Sequence, residues 1–177
     1  MTTLIALLRG INIGGNHKLP MKELAALLTE LGLREVQTYI QSGNVVFRSN
    51  AKDKAALAAK ISAAIEAKHG FAPQVLLLDA DELRKAMANN PYPEAEATPA
   101  SLSLLFLAET PPHPDLKALE ALRISSERFK LVGKVFYLHA PEGFGHSKLA
   151  ARAEKLLGVA ASGRNWNTVC KLAEMAA

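Results

Sequence analysis

Apolar and polar positions recur along this chain with two different periods, and the periods mark its elements. Thr3 to Arg9 is short, nearly continuous in apolar residues and stopped by Gly10, which predicts a buried strand. Pro20 suits a first helical position. Met21, Leu24, Leu27, Leu28 and Leu31 then recur at helical spacing, and Gly32 stands where a helix ends. Val36 to Gln41 and Asn44 to Ser49 are β-prone runs parted by Ser42-Gly43, the punctuation of a hairpin. A second helix is predicted from Asp53 to His69, with Leu57, Ile61, Ala64 and Ile65 inward and Gly70 closing it. Pro73 to Asp79 returns as a strand.

Strand, helix, strand, strand, helix, strand is the split βαβ, or ferredoxin-like, order. A short helix from Asp81 to Asn89 leads into Asn90 to Pro99, whose three prolines make a connector. The second half then reads alike. Leu102 to Ala108 is a strand, Pro111 to Pro114 a rigid turn, Asp115 to Leu122 a helix, and Glu127 to His139 a hairpin turning near Gly133. A helix from Ser147 to Leu157 ends at Gly158, Val159 to Arg164 forms a last strand, and Asn165 caps a last helix. That helix carries Trp166, Val169, Cys170 and Ala173 inward. Gly133-Lys134-Val135-Phe136-Tyr137 matches Gly43-Asn44-Val45-Val46-Phe47 in residue type, as a duplicated motif would. The expected fold is therefore α+β, with two ferredoxin-like (split βαβ) halves and mainly antiparallel sheets packed by helices. The halves run over residues 1–89 and 101–177, joined by a connector at 90–100 within one compact unit.

Composition narrows the class of function more than it names one. The 177 residues are 49% apolar and 21% charged, as in ordinary globular proteins rather than disordered ones. A net charge of +4 favours anionic partners mildly and falls short of a dedicated basic arm. Cys170 is the one cysteine, so no intrachain disulfide forms and a reducing compartment suits the chain. No charged segment precedes the first apolar run and no apolar run nears the roughly 18 residues of a membrane span. A cytoplasmic protein with no membrane partner is the expectation.

The stretch richest in candidate chemistry is Leu8 to Pro20. Arg9, Asn12, Gly14, Gly15, Asn16 and Lys18 combine permissive backbone with cations and amides beside a helix start, where backbone N–H groups can hold an anion. It is not a Walker A loop. Four residues separate Gly15 from Pro20, and no Ser or Thr follows Lys18 to hold magnesium. The Rossmann spacing is absent as well. Topology adds a second wall: in a split βαβ unit the first two strands are parallel, so the turn Ser42-Gly43-Asn44 falls at the same sheet edge as this loop. The two polar turns are either walls of a pocket or simply tight turns.

Ser147 and Lys148 follow two glycines at a helix start and read as a cap with a solvated cation, or as a second anion site. Arg164, Asn165 and Asn167 flank the single tryptophan, where Arg164 can act as a carboxylate fork. Catalytic constellations are lacking. The five histidines show no metal-ligand spacing, Cys170 falls on an apolar helix face, Ser42 has no nucleophile elbow, and no cofactor motif is found. A base-stacking sheet of the RNA-binding kind is disfavoured, because Asn44-Val45-Val46-Phe47-Arg48 carries one aromatic and no RNP1 pattern.

Four segments together resemble a known family: Leu7 to Gly15, Tyr39 to Phe47, Ser147-Lys148-Leu149 and Arg164 to Val169. They are similar to the signature blocks of the domain-of-unknown-function family 1697, mainly bacterial, and span almost the whole chain. Ser162-Gly163 stands where that pattern has Thr-Thr. The resemblance implies an α+β fold with ferredoxin-like halves and supplies no activity. The function expected from the residues is binding of a small phosphorylated or carboxylated ligand at the glycine-rich loop. The alternatives are nucleic acid held through phosphate contacts, or a protein partner, including a second copy of the chain.

Overall fold

A computed structural model describes all residues, 1–177. The chain forms two compact units, Met1–Lys85 with Lys171–Ala177, and Ala86–Cys170. In the first, β1 (Thr2–Arg9), α1 (Met21–Glu30), β2 (Arg34–Tyr39), β3 (Asn44–Ser49), α2 (Lys54–His69) and β4 (Gln74–Asp79) build a sheet ordered β2-β3-β1-β4. Every adjacent pair is antiparallel, so β1 and β2 run the same way with β3 between them. This is the ferredoxin-like arrangement.

β1 reads as an unbroken apolar run because it is central and covered on both faces. Leu4 to Leu8 are all buried. Its Leu4, Ala6 and Leu8 face Leu24 and Leu28 of α1 and Ile61 and Ile65 of α2 in one core. Truncating Leu28, fully buried, to alanine costs about 2–5 kcal/mol. Helix ends follow from their caps. Asp53 accepts from Ala56 N, and Gly70 takes the left-handed conformation with φ 80°. Pro20 stands one position earlier than its sequence suggests, as the extended N-cap with ψ 137°, and Gly32 follows the last turn.

Helix α3 (Ala80–Ala88) opens with a reciprocal capping box: Asp79 accepts from Glu82 N at 2.7 Å and Glu82 accepts from Asp79 N at 2.8 Å. The proline-rich stretch is ordered into two 3-10 turns, Pro93–Ala97 and Pro99–Ser101, with Tyr92 and Ala95 buried.

The second unit repeats the plan with β5 (Leu102–Leu107), α4 (Leu116–Leu122), β6 (Arg128–Val132), β7 (Val135–His139), α5 (Lys148–Leu157) and β8 (Ala161–Asn165), in sheet order β6-β7-β5-β8. Helix α6 (Trp166–Met175) follows. Its buried side chains include Leu172 with Trp166 and Val169, while Cys170 is half-buried.

The repeat is structural, but its register differs from the residue-type match by one. Leu8 N bonds Gly43 O at 2.8 Å, and Leu107 N bonds Lys134 O at 2.9 Å, so Gly43 corresponds to Lys134 and not to Gly133. The faces agree, since Val45 and Phe136 both enter the helix-side cores. A one-residue slip would turn each strand inside out.

Candidate functional site

The β1–α1 loop is shaped by backbone conformations few residues accept. Gly10 has φ 75°, and Asn12 and His17 are left-handed at φ 53° and 51°. Between them the chain makes a miniature hairpin: Asn12 N donates to His17 O, and Ile13 and Asn16 exchange bonds of 3.2 and 2.8 Å. Gly14 and Gly15, at φ 56° and 79°, are the central pair of its two-residue turn, as a type I′ geometry requires. The glycines therefore form an exposed hairpin tip rather than a run of amides wrapping towards α1. The N–H groups of Asn12, Ile13 and Asn16 are engaged within it.

This hairpin meets the β2–β3 turn, because both lie at the end where the parallel strands β1 and β2 finish. Asn12 is the clamp: its Nδ2 donates to Leu19 O at 2.9 Å and to Gln41 O at 2.8 Å, and its Oδ1 accepts from Leu19 N at 2.7 Å. Asn44, wholly buried, donates from Nδ2 to Tyr39 O and to Ser42 Oγ and holds its own turn closed. Both side-chain amides thus hold loops rather than orient a ligand.

Gly43 is dictated by a close approach. A Cβ there would fall 2.7 Å from Leu8 Cβ and 3.0 Å from Ile11 Cδ1, at φ 87°. The turn itself spans four residues, Ile40 to Gly43, rather than the pair Ser42-Gly43. β2 accordingly ends at Tyr39, and Ile40 is left-handed with φ 49°, an outlier for a β-branched residue.

Arg9, Ser42, His17 and Lys18 are exposed at this edge. His17 stacks on Phe71, with centroids 4.5 Å apart and planes at 10°. Its Nδ1 lies 3.0 Å from Gly10 O; a carbonyl only accepts, so Nδ1 carries the proton and Nε2 is the ring's remaining polar atom. Nothing in the sequence pattern singled out that ring, since its partner Phe71 is 54 residues on. On the strand behind the turn, Val45, Val46 and Phe47 are all buried, so β3 offers no open face on which bases can stack.

The remaining sequence candidates belong to the second unit. Ser147 is buried and caps α5, accepting from Ala150 N at 3.0 Å, while Lys148 beside it is exposed. Asn165 caps α6 by accepting from Thr168 N at 3.0 Å, and Asn167 is exposed. Burial pushes the Arg164 guanidinium down to about 10, and its Nη1 donates to Gly163 O. These segments share one edge of their sheet, because β7 ends opposite Leu102 and β8 ends opposite Ser103, both at the start of β5.

Sequence reasoning missed a polar cluster at that edge. Arg128 pairs with Glu94, lies 4.3 Å from the Tyr92 ring centroid, and approaches His139 Nδ1 at 3.0 Å. Burial first, and the Arg128 charge second, hold His139 below its ordinary value. Burial raises the Tyr92 hydroxyl, and the Arg128 bond lowers Glu94. Only the β6–β7 pairing brings Arg128 opposite His139, so no sequence spacing marks it.

Cys170 is raised by burial and then by Glu96. No group of three His, Cys, Asp or Glu side chains comes together to hold a metal ion, and no helix is long and apolar enough to cross a membrane.

A family model described as a protein of unknown function (DUF1697) matches residues 1–137. No curated protein matches the chain. Among solved structures, the conserved bacterial protein SP0830 from Streptococcus pneumoniae is similar, at 28% identity and a TM-score of 0.73 over 99% of each chain.

Proposed function

Since the chain belongs to a family of proteins of unknown function, DUF1697, its own geometry has to supply a reading, and we propose that it binds a small anionic ligand. The ligand is phosphorylated or carboxylated and sits where the β1–α1 hairpin meets the β2–β3 turn. The observation that carries this reading is the clamp of Asn12 onto Gln41 O at 2.8 Å, which locks two polar loops from distant parts of the sequence into one rigid wall. A preorganised wall lowers the ordering cost of binding. Lys18 supplies positive charge, with no carboxylate within the ion-pair distance of 4.0 Å. Arg9 lies at the end of β1, and His17 Nε2, whose partner nitrogen carries the proton, can accept from a hydroxyl group on the ligand. The exposed peptide groups of Gly14 and Gly15 complete the polar lining. Asn12 and Asn44 act on the ligand only through the loops they hold.

The test is a thermal-shift screen against nucleotides, sugar phosphates and organic acids. A hit from the screen should lose its shift in the Arg9→Ala, Lys18→Ala double variant, whose unliganded melting temperature stays near that of the parent. A double variant that keeps the full shift would show that the ligand sits elsewhere.

A further inference from the structure

The opposite end of the same sheet carries a groove that the loop edge does not use. Its volume is about 550 Å³, and it is lined by Thr29, Gly32, Leu33, Arg34, Glu35 and Arg48, with Met1. Such a size suits a small metabolite. Arg34 of β2 and Arg48 of β3 are direct cross-strand partners, so their side chains leave the sheet on one face. Two like charges so placed repel, and neither guanidinium has a carboxylate within 4.0 Å to offset this.

Three further observations meet here. Arg48 Nη2 donates to Met1 O at 3.2 Å, whereas its Nε is buried with no hydrogen-bond partner. A buried donor left unsatisfied is costly and calls for an explanation. The register of β2 shifts just after Arg34, and Glu35 is left-handed at φ 51°, a conformation few non-glycine residues hold. Glu35 lines the groove without pairing to either arginine, and can accept from a hydroxyl or amine on the ligand.

The geometry points to a second binding site, in which Arg34 and Arg48 jointly hold the oxyanion of a small metabolite. The shared chemistry is a carboxylate or phosphate group, which a guanidinium binds through paired N–H donors. An anion between the two arginines relieves their repulsion and accepts from the guanidinium N–H groups that face the groove. The site is separate from the loop edge: Asn44 and Arg48 are four residues apart on β3, roughly 13 Å at strand spacing.

The test follows the arginine Nε–Hε signals by 15N NMR while inorganic phosphate, citrate and, as control, chloride are added at constant ionic strength. The Arg48 signal should shift saturably with phosphate or citrate and not with chloride. Arg34→Gln, an exposed substitution on β2, should weaken that binding at least about tenfold while leaving the backbone spectrum folded. Phosphate alone or citrate alone producing the shift identifies which oxyanion the site takes. An Arg48 signal that stays fixed with both, or moves equally with chloride, overturns the proposal. So does an Arg34→Gln variant that binds as the parent does. Lys18→Ala should leave the titration unchanged, so failure here and failure of the loop-edge reading are told apart.

Discussion

Replacing Gly43 by alanine probes the joint on which the loop edge depends. Two costs are imposed at once. The backbone at φ 87° is left-handed, which costs an L-residue about 1–2 kcal/mol. The new methyl would also meet Leu8 Cβ at 2.7 Å, Ile11 Cδ1 at 3.0 Å and Leu8 O at 3.2 Å. Leu8 and Ile11 are core residues, and the backbone oxygen cannot rotate away, so overpacking adds about 1–3 kcal/mol. The sum is about 2–5 kcal/mol.

Gly15→Ala is the matched control, because its φ is 79° but nothing lies within 4 Å of its Cβ. It should lose only the backbone part, about 1–2 kcal/mol. At about 2–4 °C per kcal/mol for a chain of this size, Gly43→Ala should melt clearly below Gly15→Ala in a thermal scan. Urea denaturation then checks that the slope, and hence the surface exposed, is unchanged. Equal destabilisation by the two variants would refute the close approach of Gly43 to Leu8.

The remaining predictions address the other joints. Asn12→Gly keeps the left-handed backbone accessible but removes the clamp, so it should cost about 1–3 kcal/mol by denaturation and speed hydrogen exchange at Leu19 N. His139 should titrate below its ordinary 6.5 by NMR, owing to burial and the Arg128 charge, and Arg128→Gln should move it upward. The sign follows from proton binding: a His depressed in the folded state contributes stability above its unfolded value. That contribution is lost as pH falls from 6.5 through the folded value. An Arg128→Gln variant with an unmoved His139 would remove that account. Ser147→Ala should cost about 0.5–2 kcal/mol in melting experiments as a lost helix cap, and Ser147→Asp, which also caps, should restore most of it.

The fold was legible because its signals are local. Gly70 and Gly158, Asp53 and Asn165, and the stripe from Met21 to Leu28 each act within a turn or two of the chain. Element boundaries drifted where tertiary geometry intervened. β2 runs from Arg34 to Tyr39 rather than from Val36 to Gln41, since a bulge lies near its start and a left-handed Ile40 ends it. Residue type alone also misaligned the two halves, since a Gly-for-Gly match cannot sense which face a strand presents.

By itself the sequence determined the ferredoxin-like order, and hence that the Arg9–Lys18 loop and the Ser42–Asn44 turn finish at one sheet edge. Periodicity and handedness suffice for that, because crossing helices force parallel strands. Only the tertiary structure decided what the named residues do there. Asn12 and Asn44 look alike in sequence to ligand contacts, yet their amides are taken up by Leu19, Gln41, Tyr39 and Ser42. The Gly14-Gly15 pair is a hairpin tip because Ile13 and Asn16 bond across it. Arg34 and Arg48, 14 positions apart, face one another only through strand register. Hydrogen-bond partners and cross-strand neighbours are long-range quantities, fixed by packing rather than by any local run of residues.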